Sequence, residues 1–191
     1  PRLFAVSRDK GEVEWSQPVP SPTFNSWASP VLDVDRGAVL VASDRRVTCF
    51  DAKSGDPRWQ TVLQRVTVNA SPVITQDLGH ANRLFITDYQ GGGTAGRLYC
   101  INIDAFDAAL NPFTPGQIVW SVTIGGSSGN TPAYLDGVVY VASNGTYRTP
   151  PQSNAPGTIS AYPASAVTAP APIWTYFNVL TEGFYGGVSV R

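Results

Sequence analysis

The sequence predicts an all-β chain folded as an incomplete β-propeller, an arc of about four blades, each a four-stranded antiparallel sheet. Three observations carry that prediction. A phrase of short apolar runs recurs three times, opening at Ala28-Ser29-Pro30-Val31, Ala70-Ser71-Pro72-Val73 and Asn130-Thr131-Pro132-Ala133. Each copy closes on a tryptophan (Trp59, Trp120, Trp174), and Trp15 closes the tail of a further copy whose opening is absent, so the four stand 44, 61 and 54 residues apart. No stretch sustains a 3.6-residue period for three helical turns, while 18 glycines and 16 prolines punctuate the chain. A repeat of this length built from short strands is a blade of radially stacked sheets, and such a sheet buries both faces only against neighbours.

Residues 28–63 show how one unit is spelled. Pro30 opens the first strand, because proline is tolerated in a sheet at a strand start. Asp33-Val34-Asp35-Arg36-Gly37 supplies turn residues, Ala38–Ser43 returns as a near-continuous buried strand, and Asp44-Arg45-Arg46 turns again. Val47–Phe50 is the third strand, Ala52–Asp56 a glycine-containing turn, and Arg58–Val62 the fourth. In this frame residues 1–20 supply the outer strands of one blade, 26–64, 68–124 and 129–177 are blades, and 184–191 begin the inner strand of the next. Three whole blades and two partial ones cannot close a ring. A parent of six to eight blades is expected, closed by remaining blades of its own chain or by a second copy. Unpaired strand edges at both ends of the arc would invite association.

Composition narrows the class. With 191 residues, 42% hydrophobic, 14% charged and a formal charge of −1, the chain can build a core and has no bulk attraction for nucleic acid. No segment reaches the roughly 18 apolar residues of a membrane-spanning helix. Pro1 begins no charged-then-apolar leader and methionine is absent, which fits a processed chain or an internal fragment.

The eleven residues Cys49-Phe50-Asp51-Ala52-Lys53-Ser54-Gly55-Asp56-Pro57-Arg58-Trp59 set a glycine four places before a tryptophan, and Ala5 to Trp15 repeats the frame with Gly11. Gly116 again precedes Trp120 by four, after an insertion in the 103–115 region, whereas Pro170 stands where the fourth glycine would be. These frames resemble the tryptophan-docking motif, Ala-x-Asp-x-x-Thr-Gly-x-x-x-Trp, of pyrroloquinoline-quinone-type (quinoprotein-like) propeller repeats. The resemblance implies that Trp15, Trp59, Trp120 and Trp174, with Gly11, Gly55 and Gly116, are structural staples between blades, each buried ring worth about 1.5–3 kcal/mol by area.

Other residues read more plainly. The slot that holds Ala5, Cys49, Cys100 and Ala161 is a small buried position, and equivalent slots of adjacent blades lie beyond the roughly 7 Å Cα limit for a disulfide, so two free buried thiols are expected. Neither cysteine begins a Cys-x-x-Cys-His haem run. His80, the single histidine, sits in a turn and reads as a solvated side chain. Asp33-Val34-Asp35 starts like a calcium loop and lacks its remaining ligands, so it reads as a hairpin turn. Gly91–Gly96 resembles a phosphate loop in glycine content alone. In the insertion, Asp104 is expected to cap a helical turn through Leu110, with Phe106, Leu110 and Phe113 packed under the blade.

Strand parity assigns the loops to faces. Turns between second and third strands (44–46, 88–97, 144–158) emerge with the blade-to-blade connections, which place Trp27, Asn69, Asn130 and Phe184 or Tyr185 around the axis as the candidate binding surface. No catalytic or metal-binding constellation accompanies the repeats. The favoured reading is a non-catalytic binding or assembly scaffold in an extracytoplasmic complex with a protein partner and no cofactor in this segment. One alternative is a fragment of a quinone- and calcium-dependent alcohol or sugar dehydrogenase, for which Asn69 and Asn130 are placed suitably but no matching acid is evident. Another is an accessory subunit of an extracellular or electron-transfer assembly.

Overall fold

Four antiparallel sheets follow one another in chain order, each a meander of sequence neighbours. The computed structural model describes residues 1–19, 28–89, 95–126, 129–145, 156–178, 184 and 186–190. β1 (Arg2–Val6) and β2 (Val13–Pro18) form the first sheet. β3 (Val31–Asp33), β4 (Ala38–Asp51) and β5 (Pro57–Thr67) form the second. β6 (Val73–Ile74), β7 (Arg83–Thr87), β8 (Ala95–Asn102) and β9 (Ile118–Gly126) form the third. β10 (Ala133–Leu135), β11 (Val138–Ser143), β12 (Thr158–Pro163) and β13 (Trp174–Phe177) form the fourth. The architecture is an all-β incomplete propeller, and no helix among the described residues is long and apolar enough to cross a membrane.

β4 is two blade strands run together. The Ala52 N–H donates to the Gly37 carbonyl at 2.9 Å, so the 14-residue run must double back, and it turns at Asp44, whose φ is +54°. Asp44 also pairs with Thr67 of β5, and the Thr67 hydroxyl donates to the Asp44 carbonyl at 3.1 Å. Pairing with β5 thus continues on both sides of the turn, with a register shift between Asp44 and Arg46, and the second sheet has the four strands its turn residues predict. Residues 186–190 form no ladder. The Val188 N–H donates to the Thr131 carbonyl at 3.4 Å, beside the start of the fourth sheet.

The apolar core lies between sheets. β7 is buried on both faces, and its side chains alternate: Leu84 and Ile86 join Leu40, Val47 and Cys49 of the second sheet, whereas Phe85 joins Val139, Val141 and Tyr162 of the fourth. Cross-strand register explains the small slot. Ala5, Cys49, Cys100 and Ala161 sit directly opposite Trp15, Trp59, Trp120 and Trp174, where a larger partner would crowd the indole. Both thiols are free and buried.

Glycine has a geometric task at two of these joints. A Cβ on Gly55 would stand 2.6 Å from the Trp15 ring, and one on Gly116 would stand 2.8 Å from the Trp59 ring, with φ at +77° and +83°. The Trp15 Nε1–H also donates to the Ala52 carbonyl at 3.0 Å. The third joint is built differently: Trp120 is buried between Phe85 and Tyr162, and its Nε1–H donates to the Ala166 carbonyl at 2.8 Å. At the inner rim, Ser29 N–H donates to Ser71 Oγ at 2.8 Å and Ser71 N–H to Thr131 Oγ1 at 3.0 Å, a relay linking the hydroxyl residue before each strand-opening proline to its counterpart in the next sheet.

The insertion departs from expectation. Asp104 caps nothing; it receives the Arg36 guanidinium of the second sheet and the Asn82 N–H at 2.6 Å, and thereby bridges sheets. Asp107 does the capping, accepting Ala109 N–H at 2.8 Å and Leu110 N–H at 3.1 Å in a turn closed by Asn111. Phe106 and Leu110 stay more than half exposed, because that turn projects away from the sheet; Phe113 alone is covered, by the buried Arg83 guanidinium 5.6 Å from its ring.

Gly55→Ala is expected to cost about 2–4 kcal/mol, left-handed strain plus the collision with Trp15, and Gly37→Ala, at φ +54° with open space around it, about 1–2 kcal/mol. Urea unfolding midpoints of the two variants decide the matter; equal losses would contradict the contact.

Candidate functional site

Among the described residues, second-strand ends meet the chain leaving or entering neighbouring sheets, the Gly126 N–H donating to the Asn144 carbonyl at 2.6 Å and the Thr87 hydroxyl to the Asn130 carbonyl at 2.8 Å, and on this face the seam between the second and third sheets is built from a buried acid. Asp88 follows β7, fully buried. One carboxylate oxygen accepts the Arg97 N–H at 2.8 Å and the other the Tyr99 hydroxyl at 2.8 Å, while the Gln64 N–H of β5 donates to the same hydroxyl at 3.2 Å. Val66 and Tyr89 add a backbone bridge across this seam, and the Arg65 guanidinium donates to the Ala95 carbonyl. Burial raises Asp88 above the usual carboxylate range, against the opposing pull of Tyr99, the Arg97 N–H and the two guanidiniums; burial also raises the Tyr99 hydroxyl, with Asp88 adding to the effect.

The sequence-predicted residues divide. Trp27 and Tyr185 lie outside the described residues. Asn69 is exposed, with its side chain beside Gly129. Asn130 is buried, and its amide clamps the chain beyond the fourth sheet: Nδ2 donates to the Phe184 carbonyl and Oδ1 accepts the Gly186 N–H at 2.8 Å. The half-buried Phe184 ring lies 6.4 Å from Tyr176 and helps line a small cavity of about 300 Å³ with Ala142, Ile159 and residues 186–189. Asn130 and Phe184 are thus brought together, as parts of a joint. Arg45 stays exposed on this face, one nitrogen donating to the Leu63 carbonyl at 3.3 Å.

Asp88 is the acid that composition and spacing did not reveal. A signal existed: aligned on the cross-strand partners Cys49, Cys100 and Ala161, its slot reads Ser43, Asp88, Ser143, and all three are buried. An acid replacing a buried serine in one repeat only is a local departure worth tracing.

The opposite face holds a second polar knot and a cavity. Arg36 forks between Asp33, at 3.0 Å, and Asp104, and its carbonyl accepts from Arg58, which also meets Asp51 at 2.6 Å. Asp33 is therefore committed to a turn. The Ser54 N–H, Arg58 and the Lys53 N–H hold the Asp51 carboxyl well below its usual range. Beside this knot a cavity of about 460 Å³ opens between the second and third sheets, lined by Leu40, Cys49, Trp59, Ile103 and Pro115. Burial pushes the Cys49 thiol up to about 11 and the Cys100 thiol higher, so neither is a nucleophile near neutrality. His80 is exposed in the turn before β7, and among the described residues no three His, Cys, Asp or Glu side chains gather to hold a metal ion.

A group whose folded pKa is raised adds stability below its unfolded pKa and loses it as pH rises through the folded value. Relative to Asp88→Asn, the protein should therefore gain stability as pH falls from 7 into the ordinary carboxylate range. Denaturant unfolding of both proteins at stepped pH tests this; a flat or falling difference contradicts it.

Comparison with known proteins places this geometry among known propellers. A family model described as outer membrane protein assembly factor BamB matches residues 1–105, more than half of the chain. Among solved structures, BamB from Moraxella catarrhalis superposes with a TM-score of 0.59 at 16% identity, over 93% of this chain and 46% of that one. A europium-containing methanol dehydrogenase gives 0.69 at 13% identity, over 92% and 38%. The quinohemoprotein alcohol dehydrogenase from Comamonas testosteroni gives 0.52 at 19%, over 83% and 22%. At these identities the likeness is one of fold, and the chain spans less than half the length of each. No curated protein matches the chain at a significant level.

Proposed function

Because the chain belongs to the pyrroloquinoline-quinone-type propeller repeat family described as outer membrane protein assembly factor BamB, we propose that it serves as a non-catalytic binding and assembly scaffold in an extracytoplasmic complex. The family match over residues 1–105 carries this reading. The site chemistry supports it. A dehydrogenase of this fold needs a base and metal ligands free to face the axis, whereas the buried amide of Asn130 clamps backbone and both oxygens of Asp88 accept hydrogen bonds from their own chain. What the loop face offers is exposed donors, Arg45 and Asn69, on a framework made rigid by the seams beneath. Such a surface suits a protein partner presenting carbonyl or carboxylate oxygens, and needs neither quinone nor calcium.

The test is made in the source cells and on the protein purified from them. The scaffold reading expects the protein in the extracytoplasmic fraction and a loss of folded outer-membrane proteins when it is deleted. Restoration should fall several-fold for Arg45→Glu combined with Asn69→Ala, at unchanged thermal unfolding. Dye reduction by the purified protein with an alcohol, pyrroloquinoline quinone and calcium would instead make it a dehydrogenase.

A further inference from the structure

Trp15, Trp59 and Trp120 each lie against the sheet that follows, and two of the three donate the ring N–H to it. Trp15 Nε1–H reaches the Ala52 carbonyl at 3.0 Å and Trp120 Nε1–H the Ala166 carbonyl at 2.8 Å. Trp59 is seated on Gly116 by the same ring atoms, Cγ, Cδ2 and Cε3, that seat Trp15 on Gly55. Among the described residues, however, no acceptor meets its Nε1–H.

The insertion of the third sheet accounts for the difference. Both turns close alike, Gly55 N–H donating to the Asp51 carbonyl at 2.9 Å and Gly116 N–H to the Asn102 carbonyl at 2.8 Å, but residues 103–115 stand inside the second turn where 52–54 stand inside the first. The carbonyl three places before the glycine is that of Ala52 in the short turn and that of Phe113 in the long one, where the Asn102 side-chain amide takes it at 2.8 Å. Beside the indole the long turn leaves space instead. The cavity of about 460 Å³ between the second and third sheets has Trp59 in its lining, the buried Leu40, Cys49 and Ile103 on its inner side, and the exposed Ala105 and Arg58 on its open side. The carboxylate that borders it, Asp33, is consumed by Arg36 at 3.0 Å. Arg58 spends two nitrogens on the Arg36 carbonyl and Asp51, and its Nε–H meets no acceptor among the described residues. The unanswered polar groups of this cavity are therefore donors.

We propose that the cavity binds a small, largely apolar molecule carrying an acceptor oxygen, a ketone or an amide by class, with its hydrocarbon body against Leu40, Cys49 and Ile103 and its oxygen accepting the Trp59 Nε1–H. The volume falls within the range of about 300–1,000 Å³ of small-molecule sites, and an apolar lining with a single well-placed donor is their usual chemistry. The ligand oxygen restores to this joint the hydrogen bond that the other two indoles make within the chain. The site lies on the face opposite Arg45 and Asn69, so it stands whether or not the scaffold reading holds.

Nuclear magnetic resonance on the isotope-labelled protein tests it, with acetophenone as the probe and ethylbenzene as the same shape without the oxygen. Occupancy is read from the methyl resonances of Leu40 and Ile103, and hydrogen bonding from the Trp59 Nε1–H resonance, assigned by its loss in Trp59→Phe. Acetophenone should shift the methyls saturably and move the indole proton downfield, whereas ethylbenzene should shift the methyls and leave that proton near its free position. In Trp59→Phe the dissociation constant of acetophenone should rise roughly three- to tenfold while that of ethylbenzene changes by less than about twofold. Ala105→Phe, an exposed position on the open side, should weaken both probes at unchanged thermal unfolding, and it decides the matter even where Trp59→Phe does not fold. Methyls that fail to shift saturably would overturn the proposal. Equal losses for the two probes in Trp59→Phe, or wild-type binding in Ala105→Phe, would overturn it as well.

Discussion

An indole lying flat on a glycine of the next sheet sets the spacing of this molecule. The contact needs a residue without a Cβ and with positive φ, so glycine is required at Gly55 and Gly116, and any side chain would both strain the turn and displace the ring. Burying most of a tryptophan is worth about 1.5–3 kcal/mol, while a lone four-stranded sheet is left with an uncovered apolar face. The glycine and tryptophan of one motif serve different joints: the glycine takes the indole of the sheet before, and the tryptophan goes to the sheet after. That division is why the pair recurs in register along the chain.

The rest follows from sheets held face to face. A strand such as β7 is buried on both sides, so its run Leu84-Phe85-Ile86 is apolar without alternation. Polar side chains trapped between sheets must bond across the seam, and they do so at three levels: the hydroxyl relay of Ser29, Ser71 and Thr131 at the inner rim, Asp88 with Tyr99 and Gln64 on one face, and Arg36 with Asp104 on the other. These groups are thereby consumed by the joints.

Much of this was legible from local spelling. The prolines at 30, 72 and 132 mark strand starts, the tryptophans mark the first residues of the outer strands, opposite a small residue, and Asp44-Arg45-Arg46 marks a hairpin inside the long run of β4. What stayed hidden depends on residues far apart in the chain. Asp104 reads locally as a helix cap because its partner Arg36 lies 68 positions away. Asn130 reads as an axial amide because its ligands are backbone atoms of 184 and 186. Phe106 and Leu110 read as core by hydropathy, and stay exposed because the Asp107–Asn111 turn carries them off the sheet.

The account rests on the energetic coupling between ring and glycine, and a double-mutant cycle on Trp59 and Gly116 measures it most directly. If the indole rests on that glycine, Gly116→Ala should be markedly less damaging once Trp59 is alanine, with a coupling of about 1–3 kcal/mol in denaturant unfolding. Losses that simply add, to within about 0.5 kcal/mol, would show that the two residues do not meet, and the arrangement of sheets described here would be wrong.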